Sequence, residues 1–332
     1  MPNQIFDNHG RPINYLRLAV TDRCNLRCFY CMPEEGIKYV GREELLSYEE
    51  MLRMVHILSE MGIHKVRITG GEPFVRRGMM DFLVALSQIP GLEKINITTN
   101  GTLTAELIPE LKRIGISSVN LSLDTLNRER FFEITRRDEY DKVMNTLNGL
   151  LEHGIQTKIN AVVMEGKNIE DLIPMVELTK TLPVSVRFIE EMPFNGEGNH
   201  YPTLVWNHRK ILDHIRSHFP DFERLPDPPN STSANYQIPG HQGQFGIIAA
   251  YSRTFCGTCD RIRVTPKGML KTCLYDDGVF NIKDLMRQGA TDEQVRTAFL
   301  EALGNRAKDG WEAERNRQSD NPVNESMSTI GG

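Results

Sequence analysis

Over the first two-thirds of the chain, short runs that alternate apolar and polar residues give way to apolar residues at helical spacing, repeatedly. The period-two runs predict strands near residues 15–20 (YLRLAV), 65–69 (KVRIT), 94–99 (KINITT), 118–123 (SVNLSL), 157–164 (TKINAVVM) and 185–190 (SVRFIE). Helical spacing predicts helices over about 47–62, 78–88, 104–114, 140–153 and 170–180. Ser47, three residues before Glu50, writes a capping box at the first of them, and Gly62, Gly115 and Gly154 stand where helices should stop. Such alternation implies parallel strands joined by right-handed crossovers. Six such units fit an open doubly wound sheet or a partial barrel, and the pattern does not separate the two.

The rhythm breaks over about 195–240, where DPPNSTSANYQIPG reads as a loop or linker. Beyond it, Pro266, Lys267 and Gly268 predict a turn between RIRVT and MLKTCLY, hence a β-hairpin, and residues 292–314 predict helix. The tail NPVNESMSTIGG is polar, and by composition it reads as a frayed terminus. The chain is thus expected to divide into an α/β domain, 1–228, and a C-terminal domain, 229–332.

Strand side chains alternate faces, which sorts the charges. Lys65, Arg67 and Thr69 oppose Val66 and Ile68; Arg17 opposes Leu16, Leu18 and Val20; Lys158 and Asn160 oppose Ile159, Ala161 and Val163; Ser185 and Arg187 oppose Val186 and Phe188. The apolar faces must pack on helices, so Arg17, Lys65, Arg67, Lys158 and Arg187 share the other face. A closed β/α barrel fills its lumen with branched apolar side chains, and unpaired buried cations are costly. Any one of these cations could snorkel to solvent or pair with a carboxylate. Five on one face predict a polyanionic ligand, and a triphosphate fits that description.

The formal net charge of −5 gives no bulk attraction for nucleic acid. No apolar run is long enough to cross a membrane and no secretory leader is visible, so a cytosolic setting with reduced thiols is expected. The six cysteines fall in two groups, Cys24, Cys28 and Cys31, and Cys256, Cys259 and Cys273, and so read as metal ligands before disulfides. The first group, Cys-x3-Cys-x2-Cys, follows strand 15–20 directly, at the end where β/α active sites collect. Three thiolates on a four-iron cubane leave one iron open, as catalysis requires. The plainer alternative is a structural zinc completed by His9 or His56, although zinc favours Cys-x2-Cys pairs that close to four ligands. Thr69-Gly70-Gly71-Glu72-Pro73 follows the second strand, and its glycines permit close backbone approach to a ligand; alone it would be an ordinary β-to-α turn. Thr98, Thr99, Asn100, Ser122 and Asp124 also lie at strand ends. The second group, Cys256-x2-Cys259-x13-Cys273, again lacks an obvious fourth ligand. A zinc ribbon would need another complete pair, and buried free thiols are the remaining plain reading. Two incomplete triads favour two clusters, each with an open iron.

The first triad, with Tyr30 before its third cysteine, and the Gly-Gly-Glu-Pro segment resemble the radical S-adenosylmethionine (SAM) superfamily. Taken with the second triad, Arg261-Ile262-Arg263 and the terminal Gly331-Gly332, they resemble the GTP 3′,8-cyclase family of molybdenum cofactor biosynthesis, over about Asn14 to Gly332. The resemblance implies an α/β fold. Its N-terminal part would be an incomplete (β/α)6 TIM-like barrel, and its C-terminal extension would carry the hairpin and an auxiliary [4Fe-4S] cluster. It implies two [4Fe-4S] clusters and SAM as cofactors, with Tyr30, Gly71, Ser122 and Met192 at SAM; Met192 by itself is as well explained by packing. It implies GTP among Arg17, Arg67, Thr98, Lys158, Arg261, Ile262 and Arg263, and strand alternation adds Lys65 and Arg187 to the substrate residues. Arg17 and the Gly331-Gly332 tail would serve catalysis. Expected partners are an electron donor and a downstream cyclic pyranopterin monophosphate synthase, with room for a homodimer. Two other readings stay open: another radical SAM enzyme with auxiliary clusters, such as a peptide-modifying maturase, and a non-catalytic zinc-bound nucleotide-binding protein.

Overall fold

Period-two apolar runs need helices to cover them, and the structure, a computed structural model describing residues 4–194, 203–318 and 325–330, supplies helices between successive strands. β1 (Ile5–Phe6) and β2 (Pro12–Ile13) form a small antiparallel ribbon. There follow β3 (Tyr15–Ala19), α1 (Tyr48–Glu60), β4 (Lys65–Thr69), α2 (Met79–Ser87), β5 (Lys94–Thr99), α3 (Ile108–Arg113) and β6 (Ser118–Ser122). Then come α4 (Arg128–Thr135), α5 (Tyr140–Glu152), β7 (Gln156–Val163), α6 (Leu172–Thr181) and β8 (Ser185–Glu190). The Ser47–Glu50 capping box opens α1 as expected.

β3 to β8 lie side by side in chain order, all parallel. A doubly wound sheet reverses its strand order partway, so this order resolves the ambiguity left by the pattern in favour of the barrel-like winding. Two apolar cores cover the outer face. Leu16, Leu18, Val66, Ile68 and Ile97 pack beneath α1 and α2, and Leu121, Ile159, Val186 and Phe188 with Leu147 and Val176 of α5 and α6.

The rest of the chain builds both edges of the same sheet. α7 (His208–His218) leads to β9 (Glu223–Arg224), β10 (Ser233–Gln237) and β11 (Gln244–Ile248), and β11 runs parallel to β8. β12 (Arg261–Val264) runs parallel to β3 at the opposite edge and turns back into β13 (Met269–Lys271), the expected hairpin. β14 (Phe280–Asn281) ends that side, giving twelve strands in all. α8 (Ile282–Arg287), α9 (Asp292–Gly304), α10 (Gly310–Arg315) and the short α11 (Met327–Ile330) complete the chain.

Two expectations are corrected. DPPNSTSANYQIPG is not wholly loop: Ser233–Gln237 is a strand, its Ser233 and Asn235 buried opposite Ile248 and Gly246. Pairing and burial there override the low strand propensity of Ser and Asn. The 292–314 helix is two helices, split at residues 305–309.

Candidate active site

The cations that alternation put on one strand face do converge. A cavity of 310 Å³ at the centre of the sheet is lined by Arg17, Lys65, Arg67, Lys158, Arg187, Arg261 and Arg263, with Cys256, Cys259 and Cys273 in the same wall. Among the described residues, Asp260 is its one lining carboxylate. Arg253, also in the wall, is committed elsewhere, stacked 3.5 Å over Tyr275 and paired with Glu314. Burial in like-charged company shifts the basic groups. Lys158 is brought down to about 7 by burial and by Arg187 and Arg67. Arg187 falls to about 10 by burial and Arg67, and Lys65 falls through burial. Tyr15 shows the same field from the other side: burial opposes its ionisation, but Arg67, Arg17 and Lys65 bring it down to about 8. Arg67 Nε donates to the Tyr15 hydroxyl at 2.5 Å, and Lys65 Nζ lies 4.1 Å from the Tyr15 ring centre. Among the described residues, buried Arg187 Nε, Asn120 Oδ1 and Asn160 Oδ1 have no hydrogen-bond partner. An anionic group on a ligand satisfies the Arg187 donor, and N–H or O–H donors on the same ligand satisfy the two amide oxygens.

Not every expected residue joins that wall. Ile262 points the other way, fully buried in the outer core, because it alternates with Arg261 and Arg263. Thr98 sits beside the wall and accepts from Arg67 Nη1 at 3.4 Å. Met192 lines the cavity, whereas Tyr30, Gly71 and Ser122 lie outside its lining. Gly331 and Gly332 fall outside the described residues.

The first triad sits on the loop leaving β3. That loop is pinned to α4: the Arg27 and Phe29 amides donate to the carbonyls of Thr135 and Ile134 at 2.9 and 3.1 Å. A tight turn joins Cys28 to Cys31, whose N–H donates to the Cys28 carbonyl at 2.9 Å. The glycine turn after β4 locks the other side, since the amides of Gly71 and Glu72 donate to the carbonyls of Thr21 and Arg23. A Cβ on Gly71 would run into the Arg23 carbonyl oxygen. Glu72 is fully buried, accepts from Thr99 Oγ1 and the Asn100 amide, and is pushed up to about 7 by burial. Asn100 Nδ2 in turn lies 3.7 Å from Cys24 Sγ. Tyr30 donates to Asp124 at 2.8 Å, and burial pushes Asp124 up to about 6.

Burial raises all three thiols of this triad, Cys24 to about 12, and Cys24, Cys28 and Cys31 lie close enough for their charges to oppose one another. Such a nest holds thiolates only if metal cations replace the protons. Among the described residues, no three His, Cys, Asp or Glu side chains converge on one ion. Three buried thiols on one short loop are the donor set that an iron–sulfur cluster takes.

In the second triad, Cys256 and Cys259 flank a single 3-10 turn and Cys273 follows β13. Buried Arg306 organises it, reaching Cys259 Sγ at 3.2 Å, the Cys259 carbonyl at 2.9 Å and Asp7 Oδ2 at 3.1 Å. Burial opposes ionisation of Cys259, yet Arg306 and Arg261 bring it below its ordinary value. Burial and Asp276 push Cys273 up to about 12.

Composition gave no sign of the element beside the first triad; only the resemblance, with its tail inserted toward the active site, implied one. Ser326 and Ser328, just before the chain end, are buried, and Ser326 Oγ donates to the Cys31 carbonyl at 2.8 Å and lies 3.7 Å from Cys31 Sγ. Backbone amides of Ser328 and Met327 face the same sulfur and favour its thiolate, while Met327 also lines the central cavity. A polar, Gly-ending tail carries no signal for such burial. Tyr15, by contrast, was within reach of the alternation rule, being two residues from Arg17 on one face.

Fold and thiol placement define a class. The family model described as the Radical SAM superfamily matches residues 18–179, and that described as Molybdenum Cofactor Synthesis C matches residues 184–311. Streptococcus suis SuiB bound to S-adenosylmethionine shares the fold, with a TM-score of 0.62 at 16% identity, over 87% of this chain and 69% of that one. Native anSMEcpe with bound AdoMet does so at 0.53 and 18% identity, over 86% and 80%. A GTP 3′,8-cyclase from Syntrophomonas wolfei is 40% identical over 326 residues, which is 95% of this chain and 98% of that protein. The mitochondrial GTP 3′,8-cyclase of Arabidopsis thaliana is 39% identical, covering 89% and 75%. The chain belongs to the GTP 3′,8-cyclase family of radical SAM proteins. It spans about half the length of other relatives it matches: Molybdenum cofactor biosynthesis protein 1 of Drosophila melanogaster is 42% identical over 91% of this chain but only 53% of its own. The family uses SAM and two [4Fe-4S] clusters, matching the two cysteine triads. Among the described residues, no helix is long and apolar enough to cross a membrane.

Proposed function

We propose that this chain converts GTP to (8S)-3′,8-cyclo-7,8-dihydroguanosine 5′-triphosphate, the first step of molybdenum cofactor biosynthesis. The observation that carries the reading is the cavity lined by strand cations and by the second cysteine triad. Cys24, Cys28 and Cys31 would hold the first cluster, and Cys256, Cys259 and Cys273 the second. When bound, the first cluster and SAM supply a 5′-deoxyadenosyl radical that takes hydrogen from C3′ of the ribose.

The chain's own residues bind and orient. Lys65, Arg67, Lys158 and Arg187 surround the triphosphate, and Arg17, Arg261 and Arg263 place the nucleoside between it and the second triad. Holding C3′ and C8 of one nucleotide in register makes the C3′–C8 bond intramolecular, the kind of orientation from which large rate gains come. The resulting aminyl radical takes up one electron and one proton. Thr98 supports Arg67; Tyr30, held by Asp124, Gly71, Ser122 and Met192 serve the SAM side. Arg17 and the Gly331-Gly332 tail complete the catalytic set. An electron donor and a cyclic pyranopterin monophosphate synthase act before and after, in the cytoplasm, and a homodimer is part of the same reading.

The test is anaerobic incubation with SAM, a reductant and GTP deuterated at C3′. Deuterium appearing in 5′-deoxyadenosine supports the reading. Deoxyadenosine formation that ignores GTP, or protein carrying zinc without iron, sinks it.

A further inference from the structure

A second cavity, of 760 Å³, opens on the outer side of the loop that carries the first triad. Its wall is Thr21 and Arg23 of that loop, Arg42 and the entry and first turns of α1, the entry and first turns of α2, and Arg287 of α8. Arg23, Arg42, Arg76, Arg77 and Arg287 line it against two carboxylates, Glu49 and Asp81. That local excess of positive charge stands on a chain whose formal net charge is −5.

The five arginines divide by what they already do. Arg76 is structural, donating to the carbonyls of Val20 and Leu46 and lying 4.2 Å over the Tyr48 ring. Arg287 is structural too, paired with Glu50 at 2.6 Å. Arg23, Arg42 and Arg77 are exposed. Among the described residues, Arg42 and Arg77 carry no side-chain hydrogen bond or ion pair, and Arg23 only leans toward the Tyr39 ring at 5.8 Å. Three free guanidinium groups on three different loops form a broad positive rim rather than a closed pocket for one small anion.

Position gives the rim its meaning. Arg23 directly precedes Cys24, and its carbonyl is held by the Glu72 amide at 2.8 Å, so the rim is fixed rigidly to the first triad. Among the described residues, none of that triad's cysteines lines the central cavity, and buried Ser326 and Ser328 cover Cys31 on the inner side. A macromolecular electron source must therefore approach from outside, and the groove is an outer face with a charge preference.

We propose that this groove docks the electron donor, a small acidic protein carrying a low-potential one-electron centre, with Arg23, Arg42 and Arg77 as its contact charges. The inference rests on reading the first triad as a cluster that accepts an electron. One electron leaves the carrier, which is oxidised, and enters that cluster, which is reduced; no bond or proton moves. Charge complementarity of this kind acts chiefly on the association rate, by about tenfold to a thousandfold, and fades with salt.

The experiment uses the iron-loaded, full-length protein without GTP and follows bleaching of its visible absorbance. The reductants are a photoreduced acidic plant-type ferredoxin and reduced methyl viologen, a small cation that needs no docking. The triple charge reversal R23E, R42E and R77E should slow bleaching by ferredoxin about tenfold or more at low salt, with the gap closing near 1 M salt. Methyl viologen should reduce both proteins alike, and R209E on α7, distant in sequence and fold, should behave as wild type. A triple variant that ferredoxin reduces at the wild-type rate overturns the docking site. Wild-type protein that methyl viologen cannot bleach overturns instead the reading of the triad beneath it.

Discussion

At the scale of single residues, the cavity's chemistry is a matter of protons held off by burial. Lys158 without ligand is brought down to about 7 by burial and its cationic neighbours. In the unfolded chain it keeps its proton to the ordinary lysine range near 10.4. Between those values the unfolded state binds more protons, so Lys158 contributes stability that rises with pH across that window in the ligand-free protein. A triphosphate reverses the balance by favouring the charged form. GTP binding near pH 8 should then take up close to one proton, and affinity should fall as pH rises from 7 to 9. Titration calorimetry in buffers of different ionisation enthalpy reads the uptake directly. Lys158→Met should abolish it and weaken GTP binding by about tenfold to a hundredfold, the worth of one charge-assisted hydrogen bond. Wild-type protein that releases a proton on binding would contradict the assignment. Alternation alone exposed Lys158 and Arg187, because sequence periodicity states which face a side chain takes. Strand position also picked out Asp124 but not its partner Tyr30, and nothing in the pattern exposed Arg306, whose role comes from Cys259 far along the chain.

At the scale of elements, two segments set the first triad in place, and they differ in legibility. The Gly70–Gly71 turn was visible as a motif, and the structure gives its reason: backbone hydrogen bonds bind it to the cysteine loop with no room for a side chain. Gly71→Ala must displace the Arg23 carbonyl and with it Cys24. Its expected result is protein with intact far-UV circular dichroism that carries about four irons instead of eight, measured by metal analysis. The tail was legible only through the resemblance, which has it inserted toward the active site, since nothing in its composition separates a frayed end from a buried strap. Yet Ser326, its hydroxyl donating to the Cys31 carbonyl, holds the Met327 and Ser328 amides at the Cys31 sulfur, and donors aimed at a cluster thiolate stabilise its more electron-rich state. Ser326→Ala should lower the reduction potential of the SAM-responsive cluster, and Ser326→Thr should restore it, by redox titration followed with electron paramagnetic resonance. Equal potentials in all three proteins would leave the tail a packing role only. The strand at Ser233–Gln237 marks the same boundary of legibility: its Ser and Asn read as loop until a neighbouring strand supplies partners.

For the whole molecule, the arrangement of edges explains how one sheet serves two triads. β3 to β8 supply the cations, while β11 and β12 add to opposite edges and bring residues from both sides to one cavity. The triads are nonetheless anchored separately. The first hangs on α4 and the glycine turn. The second hangs on Arg306, Arg11 and Asp7, with Arg11 donating to the Cys256 carbonyl at 3.0 Å and pairing with Asp7 at 2.6 Å. Independent anchors predict independent loading. Replacing Cys256, Cys259 and Cys273 together by Ser removes the thiolates but leaves Arg306 bonded to Asp7, to the Thr272 carbonyl and to the Arg261 carbonyl. The fold should persist, iron should fall to about half, and SAM should still alter the remaining cluster's paramagnetic signal. GTP should bind more weakly, because one wall of its cavity has changed while the strand cations have not. Loss of all iron in that variant would mean that the two triads assemble as one unit, and the separate anchoring seen here would not govern how the clusters load.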